Sequence, residues 1–163
     1  MAPPTNPDEL ELARHATALA DGIERALPGW TEAAVARIAD AWRPGLAREL
    51  AGEAAAAGRA AVADVAPRVR ALLAADVDAQ AQGPLALVRE AVRHPTAVLA
   101  AAGVGPVVRD EFDERAFPDD VYGLAPAAFA DLDPALGELG LVWGAAKAHV
   151  VLRRRRAAPP PDG

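Results

Sequence analysis

Cysteine is missing from all 163 residues, and with it go disulfide frameworks, thiolate metal sites and thiol nucleophiles. Its absence fits a reducing compartment. Serine is missing as well, so a Ser-His-Asp arrangement cannot be assembled, and the aliphatic hydroxyls are confined to Thr5, Thr17, Thr31 and Thr96. Aromatic residues make up only 4% of the chain, which removes large interlocking rings as the way to fill a core. Lysine is almost absent too: of 17 basic residues Lys147 alone is not arginine. With abundant Ala, Gly and Pro, that is the usage of a GC-rich bacterial genome and carries no chemistry. No alternation of apolar and polar residues persists beyond a few positions, and no solenoid-length repeat is visible.

Metal and phosphate motifs are also wanting. His15, His94 and His149 stand far apart, without the Glu-x-x-His context of helical metal sites. The acidic run from Asp110 to Asp120 does not follow the alternating Asp/Asn, central Gly and terminal Glu of a calcium loop. Gly103-Val104-Gly105-Pro106 lacks the Lys and Ser/Thr of a phosphate loop. Adjacent carboxylates such as Asp119 and Asp120 suit acid–base chemistry only if a fold makes them converge. No catalytic residue, metal or cofactor is therefore expected. The N-terminal MAPPTNPDEL has no basic region followed by an apolar run, so a secretory signal is not expected and the cytoplasm is the expected location.

What is present favours helices. The chain is 52% hydrophobic, mostly Ala with scattered Leu and Val, enough for one core built from close helix contacts. The expected fold is all-α, a compact multi-helix bundle: a flexible stretch over 1–6, a single domain over 7–156 and a disordered tail over 157–163.

Punctuation divides the chain. Asn6, Pro7 and Glu9 stand in capping-box order and predict a helix start. The stripe Leu12, Ala16, Leu19, Ile23, Leu27 follows, with Asp21 and Arg25 as an i,i+4 pair on the wet face. Pro28 and Gly29 are expected to stop this helix. Trp30 would staple onto Val35, and a second helix would bury Val35, Ile38, Ala39 and Trp42. From Leu46 to Gly58 the pattern is helical but weak. Pro67 is expected in the first turn of a fresh helix capped by Asp64, carrying Val65, Val69, Leu72 and Leu73. Leu85, Val88 and Val92 predict a short helix ended at His94 by Pro95, which opens the next. Gly103 and Val104 have the order of a Schellman ending. Val108, Phe112 and Ala116 predict a further helical face, and Pro126 a short helix with Phe129 and Leu132.

Asp133 and Pro134 predict the start of the last helix, with Leu136, Leu139, Trp143, Ala146 and Val150 as its stripe and Trp143 as core anchor. Gly137, Gly140 and Gly144 weaken this helix, each by about 1 kcal/mol against Ala, so they need a packing reason. Gly140, Gly144 and Ala148 would leave one smooth edge for a neighbouring backbone. A membrane span is disfavoured, because Leu139 to Leu152 falls short of about 20 apolar residues and contains Lys147 and His149.

Charge is uneven. Residues 105–140 hold nine acidic residues against two arginines, whereas 141–163 hold Lys147 and Arg153, Arg154, Arg155 and Arg156 against Asp162. The two ends would attract. Asp110, Glu111, Asp113, Glu114, Phe117, Asp119, Asp120 and Tyr122 combine apolar anchors with negative field and are the candidate docking surface for a basic protein partner. A solvated face, with Glu111 and Arg115 at i,i+4, is the alternative. The four arginines read as a solvated helix end that suits the helix dipole and is dispensable for folding; as phosphate contacts they would leave a small footprint on a chain of net charge −6.

From Pro84 to about Lys147, the run PLALVREAVRHPTAVLAAAGVGPVVRDEFDERAFPDDVYGLAPAAF, and then WGAAKA from Trp143, resembles the C-terminal half of small conserved proteins of actinobacteria to which no function is assigned. The resemblance implies no activity. The functional expectation is a non-catalytic, soluble helical interaction or regulatory protein. Its alternatives are an enzyme or metal binder using the carboxylates, and a nucleic-acid or anionic-membrane binder using the arginines.

Overall fold

The computed structural model describes residues 6–161, so most of the stretch expected to be flexible at the N-terminus, and the last two residues of the tail, lie outside it. Helices make up 75% of the chain and no strand occurs among the described residues. In order these are α1 (Pro7–Trp42), α2 (Leu46–Glu49), α3 (Ala51–Ala74), α4 (Pro84–Arg89), α5 (Arg93–Ala101), α6 (Glu111–Ala116) and α7 (Ala135–Ala157). The fold is all-α.

Two prolines expected at helix boundaries, Pro28 as a stop and Pro67 in the first turn of a fresh helix, lie inside helices instead. α1 continues through Pro28 for 36 residues, about 54 Å at 1.5 Å per residue. A proline inside a helix loses one hydrogen bond and crowds the preceding turn, at about 3 kcal/mol. Here the buried face offsets this: Leu19, Ile23, Leu27, Thr31, Val35 and Ala39 lie on one side of α1 without a change of phase, all essentially shielded from water. Thr31, the one polar residue of this face, satisfies its buried hydroxyl by donating to the Leu27 carbonyl at 2.8 Å. Gly58 of α3 lies opposite, where a Cβ would come within 3.1 Å of the Pro28 Cα, so only glycine lets the two backbones approach this closely. Pro67 is likewise inside α3, on its exposed face, while Ala54, Ala57, Ala61, Val65, Val69 and Leu73 run unbroken along the buried one. Asp64, expected as a cap, is mid-helix.

α1 and α3 form the most extensive helix pair, and α7 packs along the N-terminal half of α1. The core has two adjoining parts. One gathers Leu19, Ile23, Leu27, Val65, Val69, Leu87, Val88, Leu136 and Trp143; the other gathers Val35, Ala39, Leu46, Leu99, Val104, Tyr122 and Leu124. Trp30, within α1 rather than stapling a helix start, touches both. Trp42 is 57% exposed and rests its ring edge on Gly105 instead of entering the core. Trp143 is buried, with Lys147 5.2 Å above its ring.

Several local signals are realised as the residues predict. Asn6 accepts from the Glu9 amide at 2.9 Å. Val104 donates to the Leu99 carbonyl and Gly103 to that of Ala100, with Gly103 at φ +79°, which is a Schellman ending. Asp133 accepts from the Ala135 amide at 2.9 Å as α7 begins. Gly22 and Gly140 have their packing reasons: a Cβ at the first would strike Leu136, and one at the second would strike the Phe129 ring. Gly144 has open space, so the smooth edge expected over Gly140 to Ala148 is only half used. Other expectations fail. Phe129 and Leu132 belong to a 3₁₀ turn and its end, not a short α-helix, and Val108, Phe112 and Ala116 bury nothing. His94 does not end a helix; a 3₁₀ turn over Glu90–Val92 leads directly into α5.

Candidate functional site: the acidic segment and the arginine end

The acidic segment divides into scaffold and surface. Asp120 is 6% exposed and accepts from the amides of Leu124 at 2.6 Å and Ala125 at 2.8 Å. Tyr122 is also buried, donating its hydroxyl to the Val104 carbonyl at 2.7 Å, and burial pushes its phenol above the ordinary value. Arg109 donates to the Phe117 carbonyl at 3.1 Å and lies 4.0 Å from the Asp120 carboxylate. From α4, Arg89 donates through Nε to the Pro126 carbonyl at 2.9 Å, while its guanidinium lies 5.4 Å from the Phe117 ring centroid. These bonds order a loop that has no regular ladder of its own. Asp120 and Tyr122 are thus internal, and neither can meet a partner.

The surface half is α6. Asp110 caps it, accepting from the Asp113 amide at 2.9 Å, and none of its residues is buried. Glu111, Asp113 and Glu114 are exposed, with Asp119 beyond the helix. Glu111 meets Arg115 at 3.4 Å, the i,i+4 pair expected from their spacing. Phe112 is 77% exposed and Val108 98%. Next to them Pro106, Val107, Val108, Arg109, Glu114, Pro118 and Val121 line a groove of about 520 Å³. Of the candidate anchors Phe117 is half-buried under Arg89, and Phe112, not singled out for this purpose, projects into water.

The arginine end behaves differently from expectation. Arg154 donates to Glu9 at 2.9 Å, to Asp76 at 2.8 Å and to Asp78 at 2.9 Å, tying the C-terminal turns of α7 to the start of α1 and to the loop after α3. Glu9 therefore serves this junction, where a capping box would have turned it back to Asn6. The Asp76 carboxyl is pulled down to about 2, first by Arg154 and then by the Asp78 amide, and the guanidinium is pushed up in return. Arg153 bonds to Asp8, with His149 3.4 Å from the same carboxylate. The arginines do not reach the 105–140 acids. Arg155 and Arg156 are exposed and have no ion-pair partner among the described residues.

A third polar group joins α3 to α5. His94 Nε2 is 2.9 Å from Asp64 Oδ2, Arg93 and Arg68 flank the same carboxylate, and Arg68 bonds to Glu90 at 2.7 Å. The His94 hydrogen bond, ahead of the two arginines, holds the Asp64 carboxyl below its ordinary value. A carboxylate so held is a weak base. Across α1 and α3, Arg70 takes both Asp21 and Glu24 at 2.8 Å, in place of the expected Asp21–Arg25 pair. Among the described residues no three His, Asp or Glu side chains converge as metal ligands, and Asp119 and Asp120 point to different environments, one wet and one buried.

Comparison with protein-family models, with curated proteins and with solved structures finds no match to this chain. No function therefore reaches it by kinship.

Sequence reasoning missed the roles of Arg89, Arg109 and Arg154. Arg89 and Arg154 act on residues far along the chain, and Arg109 on residues eight and eleven positions on, all beyond the reach of helical spacing. For α6 a signal existed: Val108, Phe112 and Ala116 form a stripe inside a segment too charged to bury it.

Proposed function

We propose that the protein is a non-catalytic adaptor or regulator that docks a basic protein segment on α6. The observation that carries this reading is that α6 buries none of its residues while presenting Phe112 and neighbouring Val108 to water among Glu111, Asp113, Glu114 and Asp119. A helix that contributes nothing to the core, yet is held by a cap, a bound arginine and a buried tyrosine, has its place but no packing role. Exposed aromatic area inside a field of one sign suits a partner of the opposite sign, whose charge steers encounter and whose apolar side chain enters the adjoining groove. The cytoplasm remains the proposed location.

The test is affinity capture from the native cell, with partners identified by mass spectrometry, followed by titration of the purified partner at increasing salt. Basic partners are expected whose affinity falls with salt, and falls further for Phe112→Ala or for Asp113→Lys with Glu114→Lys, while helicity is unchanged. Asp110 and Asp120 are left intact, because one caps α6 and the other holds the loop. Equal binding by wild type and both variants would sink the reading.

A further inference from the structure

The outer side of α7 carries a second pattern. Leu136, Trp143 and Val150 recur every seventh residue and are the buried residues of this helix. Rotating about 100° per residue places Glu138, Leu141, Ala145, Ala148, Leu152 and Arg155 on the opposite side, and all six are exposed. Their spacing is three, four, three, four and three, the repeat of a coiled-coil seam. Leu141 is 77% exposed and Leu152 50%. Next to the seam Gly144 has nothing within 4 Å of where a Cβ would stand. Between Glu138 and Arg155 the side is therefore an exposed apolar strip of two leucines flanking two alanines.

We infer that α7 pairs antiparallel with α7 of a second copy of this chain, about a two-fold axis passing between Ala145 and Ala148. The occupant follows from the order of residues along the seam. In an antiparallel pair centred there, Leu141 of one copy meets Leu152 of the other and Ala145 meets Ala148. Glu138 then meets Arg155, at both ends, by symmetry. Neither Glu138 nor Arg155 has an ion-pair partner among the described residues, so each is free to make this bond. Any other antiparallel offset separates the pair, and a parallel pair would set Glu138 against Glu138 and Arg155 against Arg155. Small residues at the centre with leucines flanking them let the two helix axes come close in the middle and seal the ends. The seam shares no residue with the α6 surface, so the pairing stands apart from the proposed docking function.

By length and composition α7 would also serve as a membrane span. Spanning would expose to lipid the side whose Leu136, Trp143 and Val150 already hold the core, together with Lys147, His149 and Glu138. One helix pair lies at the small end of stable interfaces, which bury about 1,200–2,000 Å² in total. The dimer is accordingly reversible.

The test is sedimentation of the full chain over a concentration series, with four variants on this exposed side. Wild type is expected to pass from monomer to dimer, and Ala145→Arg to remain monomeric with unchanged helicity. Glu138→Arg alone and Arg155→Glu alone should each weaken association by at least about tenfold through like-charge contact, and the two together should restore it. A wild type that stays monomeric throughout would overturn the inference, as would a dimer indifferent to Ala145→Arg. Failure of the double variant to recover would overturn the antiparallel register. Co-sedimentation of the chain with phosphatidylcholine and phosphatidylglycerol vesicles, abolished by Ala145→Arg, would assign the seam to a membrane instead.

Discussion

The two charged regions of this molecule, the acidic segment from Asp110 to Asp120 and the arginine run from Arg153 to Arg156, use charge in opposite proportion. In the acidic segment one carboxylate, Asp120, holds the loop from inside and one, Asp110, caps a helix, while Glu111, Asp113, Glu114 and Asp119 face water. In the arginine run Arg153 and Arg154 are spent on carboxylates of α1 and of the loop after α3, and only Arg155 and Arg156 stay open. Charge density along the chain does not separate fastening from display. What separates them is whether a partner group arrives within hydrogen-bond reach: for Asp110 and Asp120 it is an amide a few residues on, for Arg153 and Arg154 a carboxylate dozens of positions away.

The arginine run belongs to α7, whose Trp143 lies in one part of the core, whereas the acidic loop is held by Tyr122 in the other; the largest effect is expected at the tryptophan. Trp143→Ala removes a buried ring and should cost about 3–5 kcal/mol, read as a lower denaturant midpoint; an unmoved midpoint would mean that α7 is held mainly by its ends. Next comes Asp120→Ala. It orphans the Leu124 and Ala125 amides, at about 1–3 kcal/mol for a buried donor left unsatisfied, and hydrogen exchange at 121–126 should accelerate. Asp119→Ala, one residue away and exposed, should change neither. Equal effects at the two positions would erase the division between scaffold and surface.

A smaller effect tests the arginine end through pH. The Asp76 carboxyl sits at about 2, below its ordinary 3.8, so the unfolded chain binds more protons in that window. Its contribution is full above about pH 4 and is lost as pH falls towards 2. Arg154→Ala should flatten this part of the acid-unfolding curve, and truncation after Leu152 should lower the thermal midpoint more than truncation after Arg154. Identical truncations would return the whole run to the dispensable, solvated end that its composition suggests. The smallest effect concerns nucleic acid. With two arginines open, the log-affinity against log-salt slope for duplex DNA should be no steeper than about −1.8, since each neutralised phosphate contributes about −0.9. A slope near −3.6 would show that Arg153 and Arg154 leave their carboxylates for phosphate.

How much was legible can be followed at particular residues. The sequence by itself determined the helical class, through Ala-rich stripes at helical spacing, and the local ends of helices: Asn6 as cap, Gly103 and Val104 as a Schellman ending, Asp133 at the start of α7. Such features depend on groups within about one turn of each other, so spacing alone encodes them. Pro28 and Pro67 show the limit. Local propensity marks a stop at Pro28 and a fresh start at Pro67, yet the buried phase runs from Leu27 through Thr31 to Val35, and from Val65 to Val69, without a shift; that continuity was readable and outweighs the local signal once both flanks are buried. Only the tertiary structure decided that Tyr122 and Asp120 go inside, that Arg154 gathers Glu9, Asp76 and Asp78, and that α6 is left with nothing to bury. For Tyr122 and Arg154 the outcome depends on which distant backbone or carboxylate is brought within about 3 Å, and for Asp120, whose amide partners are four and five residues on, on whether the fold excludes water there. Neither quantity is a property of a short stretch of chain.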